Sequence, residues 1–234
     1  MKSPHIVVLS GAGISAESGL DTFRGAGGLW EGYNVYDVAT PEAWDENPEL
    51  VLRFYNMRRR DVRAARPNAA HAALVDLERH FEVTIITQNI DDLHERAGSS
   101  KVIHLHGEIL KARSTIRTDL LVDLGDRDIE MGDLCPRGGQ LRPHVVWFGE
   151  LVPEVYRAAK VAETADILIV VGTSLAVYPA AGLVPAASKA SAVYVVNPEI
   201  PESVNRPGYH LIRKTACSGL PELVRELIDG SPSA

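Results

Sequence analysis

Three places in the chain combine residue types and spacings that could do chemistry. Ile6-Val-Val-Leu-Ser-Gly11-Ala-Gly13-Ile-Ser15 is an apolar strand pattern running into a glycine turn, with a helix expected after it. Glycines let a backbone turn tightly and approach a ligand, and the free N–H groups and dipole of a helix start favour a diphosphate. Ala16 stands where the dinucleotide fingerprint carries a third glycine. The match is therefore incomplete, and a purely structural strand–helix turn gives the same pattern. The usual acidic ribose ligand has no counterpart after a second strand, which disfavours an ordinary dehydrogenase. Gln88-Asn89-Ile90-Asp91 follows the strand pattern Val83–Thr87. Polar side chains there lie at the carboxyl end of a parallel sheet, where open α/β folds bind ligands. Asn89 and Asp91 fit helix capping equally well. His106 follows Val102–Leu105, and an imidazole titrating near neutrality can serve as general base. His5, His71, His80 and His104 are read as structural.

The elements that must hold these residues alternate. Ile6–Leu9, Val83–Thr87, Val102–Leu105, Ile167–Val171 and Ala192–Val196 are short, apolar and rich in β-branched residues, as in strands buried on both faces of a parallel sheet. Between them, residues 48–63, 68–79, 153–164, 179–188 and 220–228 read as helices. The first opens with Asn47 as cap and Pro48 at the first helical position. Alternating strands and helices predict an α/β fold, a Rossmann-like parallel sheet with helices on both faces. Ser114 to Leu134 breaks the pattern. It clusters Asp119, Asp123, Asp126, Asp128, Glu130 and Asp133 without calcium-loop spacing, and reads as a small inserted module with a solvated acidic surface.

Composition bounds the rest. The chain has 234 residues, 45% of them hydrophobic and 24% charged, with net charge −7. Such a chain builds a real core, and its acidity argues against bulk binding to nucleic acid or anionic membranes. Two cysteines, Cys135 and Cys217, make no disulfide framework and suit a reducing compartment. No secretory leader or membrane span is expected, since the longest apolar run beyond Ile6–Leu9 is Ile167–Val171. The expected location is cytoplasmic.

The continuation of the first motif, Gly11-Ala-Gly-Ile-Ser-Ala-Glu-Ser-Gly-Leu-Asp-Thr-Phe-Arg24, resembles the signature of the sirtuins, the NAD-dependent protein deacylases. So do Thr87-Gln-Asn-Ile-Asp91-Asp-Leu-His, Leu105-His-Gly-Glu108, Arg142-Pro-His-Val-Val-Trp-Phe-Gly-Glu150, Gly172-Thr-Ser174 and Val196-Asn197, in the family's order. The blocks span nearly the whole chain and look most like the bacterial CobB type and the class III, desuccinylase-like branch. The resemblance implies an NAD-binding Rossmann-like domain over residues 1–32, 67–108 and 147–230. A small lobe would comprise 33–66 and 109–146, and 231–234 would be a flexible tail.

The resemblance also implies site roles. NAD would lie along Gly11, Ala12, Gly13 and Ala16, with Phe23 shielding the reactive carbon and Arg24 on the phosphate side. Gln88, Asn89, Ile90 and Asp91 would hold ribose and nicotinamide. Gly172, Thr173, Ser174 and Asn197 would take the other phosphate and ribose, and Ala216 and Cys217 would lie near adenine. His106, with Asn89 and Asp91, would be catalytic: the acyl oxygen attacks the nicotinamide ribose carbon, nicotinamide leaves, and His106 activates a ribose hydroxyl. The products would be free lysine and O-acyl-ADP-ribose. Substrates would be acylated lysines of proteins, laid as an added strand along Val146, Phe148, Gly149, Glu150, Val177 and Tyr178. A monomer is compatible with all of this. A slow NAD or ADP-ribose sensor, and a protein ADP-ribosyltransferase, are the competing readings.

Tyr55 and Arg58 are three apart on the helix expected over 48–63 and so share a face. They resemble the class III pair that binds an acidic acyl chain, with Ala26 as the small residue that makes room. An arginine fork suits a carboxylate, and a tyrosine hydroxyl adds a donor. From periodicity alone, a helix with one buried Tyr and a solvated Arg run is the favoured reading, and the resemblance reverses that order. Most sirtuins hold structural zinc with four cysteines. Here those positions align with Ser114, Arg117, Cys135 and Gly138, so Cys135 is the one surviving thiol and no zinc is expected. Leu120, Leu121, Leu124, Ile129 and Leu134 would then hold the module by packing.

Overall fold

The computed structural model describes residues 3–21, 29, 30 and 32–230, with only the backbone of Leu29 and Trp30. In chain order the elements are β1 (His5–Ser10), β2 (Leu29–Trp30), β3 (Tyr33–Asn34), α1 (Val35–Val38), α2 (Pro41–Glu46), α3 (Pro48–Ala64) and α4 (Ala69–Glu78). Then come β4 (Glu82–Thr87), α5 (Leu93–Ala97), β5 (Val102–His104), β6 (Gly107–Ser114), β7 (Leu121–Asp123) and β8 (Leu141–Val145). The last are α6 (Val155–Ala162), β9 (Ile167–Val171), α7 (Leu183–Ala186), β10 (Ala192–Val196), β11 (Tyr209–Ile212) and α8 (Ala216–Asp229).

Six strands form one parallel sheet in the order β11-β10-β9-β1-β4-β5. β1 runs from His5 opposite Glu82 to Ser10 opposite Thr87, and on its other side pairs Ile6–Ser10 with Ile167–Val171. Strand side chains alternate faces with period two. Val7 and Leu9 accordingly join Leu168, Val170, Val193 and Val195 in a core that α6 and α7 cover. Ile6 and Val8 join Ile169, Val171, Tyr194 and Val196 under α4 and α8. The chain crosses from β1 to β4 on one side and returns to β9 on the other. The carboxyl ends of these three strands therefore open on a crevice, the usual ligand position in such sheets.

α3 starts as its sequence dictates: the Asn47 side chain accepts from Leu50 N at 3.0 Å and Pro48 fills the first position. It ends at Ala64, just ahead of Arg66-Pro67, where the residue before proline avoids helical angles. Its Val51, Phe54 and Tyr55 pack with Ile109, Val145 and Trp147 in a third core. The segment from Gly107 to Val145 folds as a small antiparallel sheet, β7-β6-β8.

Some expectations are corrected. Among the described residues no α-helix follows directly on Gly13; two 3-10 turns, Ala12–Ile14 and Ala16–Ser18, end at Gly19 in the left-handed region. The N–H groups of Gly11 and Gly13 are drawn to Val171 O and Gly172 O instead. Residues 179–188 give a 3-10 turn and the four-residue α7, and the last helix starts earlier, at Ala216. In the inserted module Leu124 and Ile129 are buried and Leu120 is half-buried against them. Leu121 and Leu134 point to solvent instead; Cys135, Leu141, Ala112 and Leu52 complete that cluster.

Candidate functional site

The glycine turn touches the turn after β9. Gly11 N donates to Val171 O at 3.0 Å and Gly13 N to Gly172 O at 2.8 Å. A Cβ on Gly13 would lie 2.7 Å from Gly172 Cα, and one on Gly172 would lie 2.5 Å from Ile14 N. Only glycine lets the two backbones meet, and they meet on the rim of a cavity of about 930 Å³. Gly11, Ala12, Gly13, Ala16, Gln88, Asn89, Ile90, Asp91, His106, Gly172, Thr173, Ser174, Asn197 and Ala216 all line it. Cys217 stands outside this lining; its N–H donates to the Glu17 carboxylate at 3.1 Å. Phe23, Arg24 and Ala26 lie outside the described residues.

The polar floor is tightly bonded. Gln88 Nε2 donates to Thr173 Oγ1 at 2.9 Å, and Asn197 Nδ2 to Thr173 O at 3.1 Å, which ties the β4, β9 and β10 ends together. Ser15 Oγ donates to Asp91 Oδ2 at 3.0 Å and accepts from Asn89 Nδ2 at 3.1 Å. That buried hydroxyl fixes both side chains, and it is invisible in the sequence, because one serine after a glycine turn carries no signal of its own. Burial raises the Asp91 carboxyl pKa, while the Leu93 amide and Ser15 pull it back.

His106 Nδ1 lies 3.0 Å from Gln88 O. A carbonyl only accepts, so Nδ1 carries the proton and Nε2 is the nitrogen left with a lone pair. Burial lowers the imidazole pKa below its ordinary value, partly offset by that carbonyl. The result is a neutral base in the cavity wall at pH 7.

A second group of residues also lines the cavity. Tyr55 and Arg58 of α3, Val146, Phe148, Gly149 and Glu150 after β8, and Val177 and Tyr178 after β9 all line it. Tyr55 and Arg58 are both buried. Burial raises the Tyr55 phenol pKa, against the pull of Trp147, Arg142 and Arg58. Glu150 contributes through its position, because its carboxylate is already held. Arg113 Nη2 donates to it at 2.9 Å, Arg142 Nη1 at 2.8 Å and Trp147 N at 2.8 Å. The Arg142 guanidinium lies 3.3 Å above the Trp147 ring. Nothing in the local sequence marks Arg113 and Arg142 as partners of one carboxylate 37 and 8 residues away.

At the zinc-aligned positions, Ser114 Oγ and Cys135 Sγ are 3.2 Å apart, and the Arg117 guanidinium binds Asp119. One thiol, one hydroxyl, an arginine and a glycine do not make a zinc donor set. Among the described residues no group of three or more His, Cys, Asp or Glu could hold a metal ion.

The chain is similar to known proteins in sequence and in fold. A family described as the Sir2 family matches residues 11–179. The chain is 48% identical over 225 residues to an NAD-dependent protein deacylase of Helicobacter pylori strain J99, covering 96% of each chain. It is 47% identical to one from Bacteroides thetaiotaomicron, covering 96% of this chain and 98% of that one. Among solved structures, a Sir2 homologue–NAD complex superposes with TM-score 0.86 at 41% identity, covering 97% and 91% of the two chains. A Sir2 bound to acetylated peptide superposes with TM-score 0.77 at 30% identity, covering 97% and 93%.

Proposed function

The chain belongs to the Sir2 family of NAD-dependent protein deacylases, and from that premise we propose that it removes acidic acyl groups from lysine, succinyl, malonyl or glutaryl, with deacetylation as a second activity. The observation that carries this reading is the burial of Tyr55 and Arg58 together in the wall of the cavity that also holds His106. A buried guanidinium facing a ligand space favours a carboxylate, and a phenol kept neutral by burial donates beside it.

NAD fits the cavity: the glycine contacts leave the room that Cβ atoms would take, and Gln88, Asn89, Asp91, Thr173, Ser174 and Asn197 offer the donors and acceptors to hold it. When bound, NAD supplies a ribose carbon with nicotinamide as leaving group. Asn89 and Asp91, locked by Ser15, keep fixed dipoles and charge in the cavity wall. His106 would take a proton from a ribose hydroxyl at Nε2 while Gln88 O holds Nδ1–H. Phe148, Gly149, Val177 and Tyr178 offer the rims between which an extended acyl-lysine peptide would lie. The inserted module works without zinc in this reading, on the support of its apolar cluster.

Arg58→Met tests the acyl preference. Losing a charge-assisted pair costs about 2–4 kcal/mol, or about 30- to 1000-fold in kcat/KM on succinyl-lysine peptide, with acetyl-lysine spared. Equal losses on both peptides remove the carboxylate clamp.

A further inference from the structure

We propose that His104, held as an imidazolium between the Asn89 carbonyl and the Glu95 carboxylate, is a positioning residue that fixes Asn89 for catalysis and releases it when His104 loses a proton. His104 Nδ1 lies 3.1 Å from Asn89 O, and Nε2 lies 2.8 Å from Glu95 Oε1. A carbonyl and a carboxylate both only accept, so each contact needs a ring N–H, and both together need the doubly protonated ring.

The surroundings are consistent. Burial alone would lower the His104 pKa. The Glu95 hydrogen bond and charge, the Asn89 carbonyl and Glu108 outweigh it and raise the pKa. Glu95 lies on α5, and Glu108 lies on β6, where Lys111 pairs with it at 2.8 Å. Asp91 and His94 also feel the charge: His104 pulls both of their pKa values down.

The placement gives the charge a task. Asn89 is tied at three points: its N–H to Thr87 Oγ1, its side-chain amide to Ser15, and its carbonyl to His104. His104 ends β5, opposite Thr87 and two residues before His106. A singly protonated ring must turn a lone pair towards one acceptor. The carboxylate is the stronger acceptor, so Glu95 keeps the proton and Asn89 loses its donor. Turnover then falls on the alkaline side, at the titration of His104.

The protonation half stands on geometry alone; the catalytic half rests on the deacylase reading. Nitrogen-15 NMR of the full chain reads the two ring nitrogens of His104 against pH. Both are expected protonated at pH 7, with a midpoint above that of an ordinary histidine. In the deacylase assay His104→Leu removes the donor, and kcat falls about tenfold, the scale of one charge-assisted hydrogen bond, with KM for peptide within about twofold. His104→Asn keeps an N–H at the Nδ1 position that does not titrate. It recovers kcat to within about threefold and loses the alkaline fall. A singly protonated His104 at pH 7, or a leucine variant with wild-type kcat and pH profile, overturns the proposal. A wild-type chain without NAD-dependent turnover would count against the deacylase reading instead, and the NMR result would still decide the proton.

Discussion

Gly172→Ala is the perturbation for which the structure gives the most complete account. Gly172 has φ +61 in the turn after β9, and the new Cβ would sit 2.5 Å from Ile14 N and 2.7 Å from Gly13 C, backbone atoms that no rotamer change relieves. A non-glycine residue in the left-handed region costs about 1–2 kcal/mol, and forcing extra volume into a packed contact about 1–3 kcal/mol. The sum is about 2–5 kcal/mol. Gly19→Ala supplies the control, because Gly19 has φ +87 but nothing within 4 Å of its Cβ position. That variant carries only the backbone cost of about 1–2 kcal/mol. Urea denaturation of the three proteins gives the differences, and each kcal/mol lowers Tm by about 2–4 °C at this size. Prising the two turns apart also displaces the rim of the cavity proposed to hold NAD. The kcat/KM for NAD should fall about 100-fold in Gly172→Ala, the scale of a 1 Å misplacement. Two variants equally stable and equally active would refute the close-approach argument.

Stability should also fall with acid. Burial lowers His71 to about 4 and His94 to about 3, so between pH 6.5 and 4.5 the unfolded chain binds protons there that the folded chain does not. Both contributions are present above 6.5 and are lost as pH falls, by about 5 kcal/mol in sum at pH 4.5; a loss under about 1 kcal/mol by urea titration contradicts the burial of neutral rings. Overnight EDTA should leave Tm unchanged, whereas a structural zinc contributes about 10 kcal/mol or more to such a module and its removal would unfold it. Arg63 donates from Nη1 to Asp126 O at 2.9 Å and from Nη2 to Arg127 O at 2.8 Å, holding the inserted module to α3. Arg63→Met should cost about 1–3 kcal/mol, and an unchanged denaturation midpoint would show that the module holds without this clamp.

The parts of the fold legible in the sequence are those that local physics decides. Ile167–Val171 and Ala192–Val196 have the bounds their apolar runs set, because strands buried on both faces leave no polar position to blur the pattern. Asn47-Pro48 marks the start of α3 for an equally local reason. The turn after Gly11 was not legible, since its backbone donors go to Val171 and Gly172, some 160 residues away. Leu121 and Leu134 look like core residues by type, but β7 and its flanking loop turn them outward. In the site, residue types at strand ends pointed to Asn89, Asp91 and His106, and the family resemblance assigned their roles. Ser15 and the Arg113–Glu150–Arg142 arrangement needed tertiary contacts. In the sequence His104 is one histidine of eight with no visible partner, and its type alone reads as structural.

The most direct measurement offers acetyl- and succinyl-lysine versions of one peptide to the chain with NAD and follows both by mass spectrometry, with His106→Ala as control. The account predicts removal of both groups, succinyl the faster, only with NAD and only with His106 present. Loss of acetyl alone would contradict the Tyr55–Arg58 reading, and acyl removal that persists in His106→Ala would contradict the base assignment on which the mechanism stands.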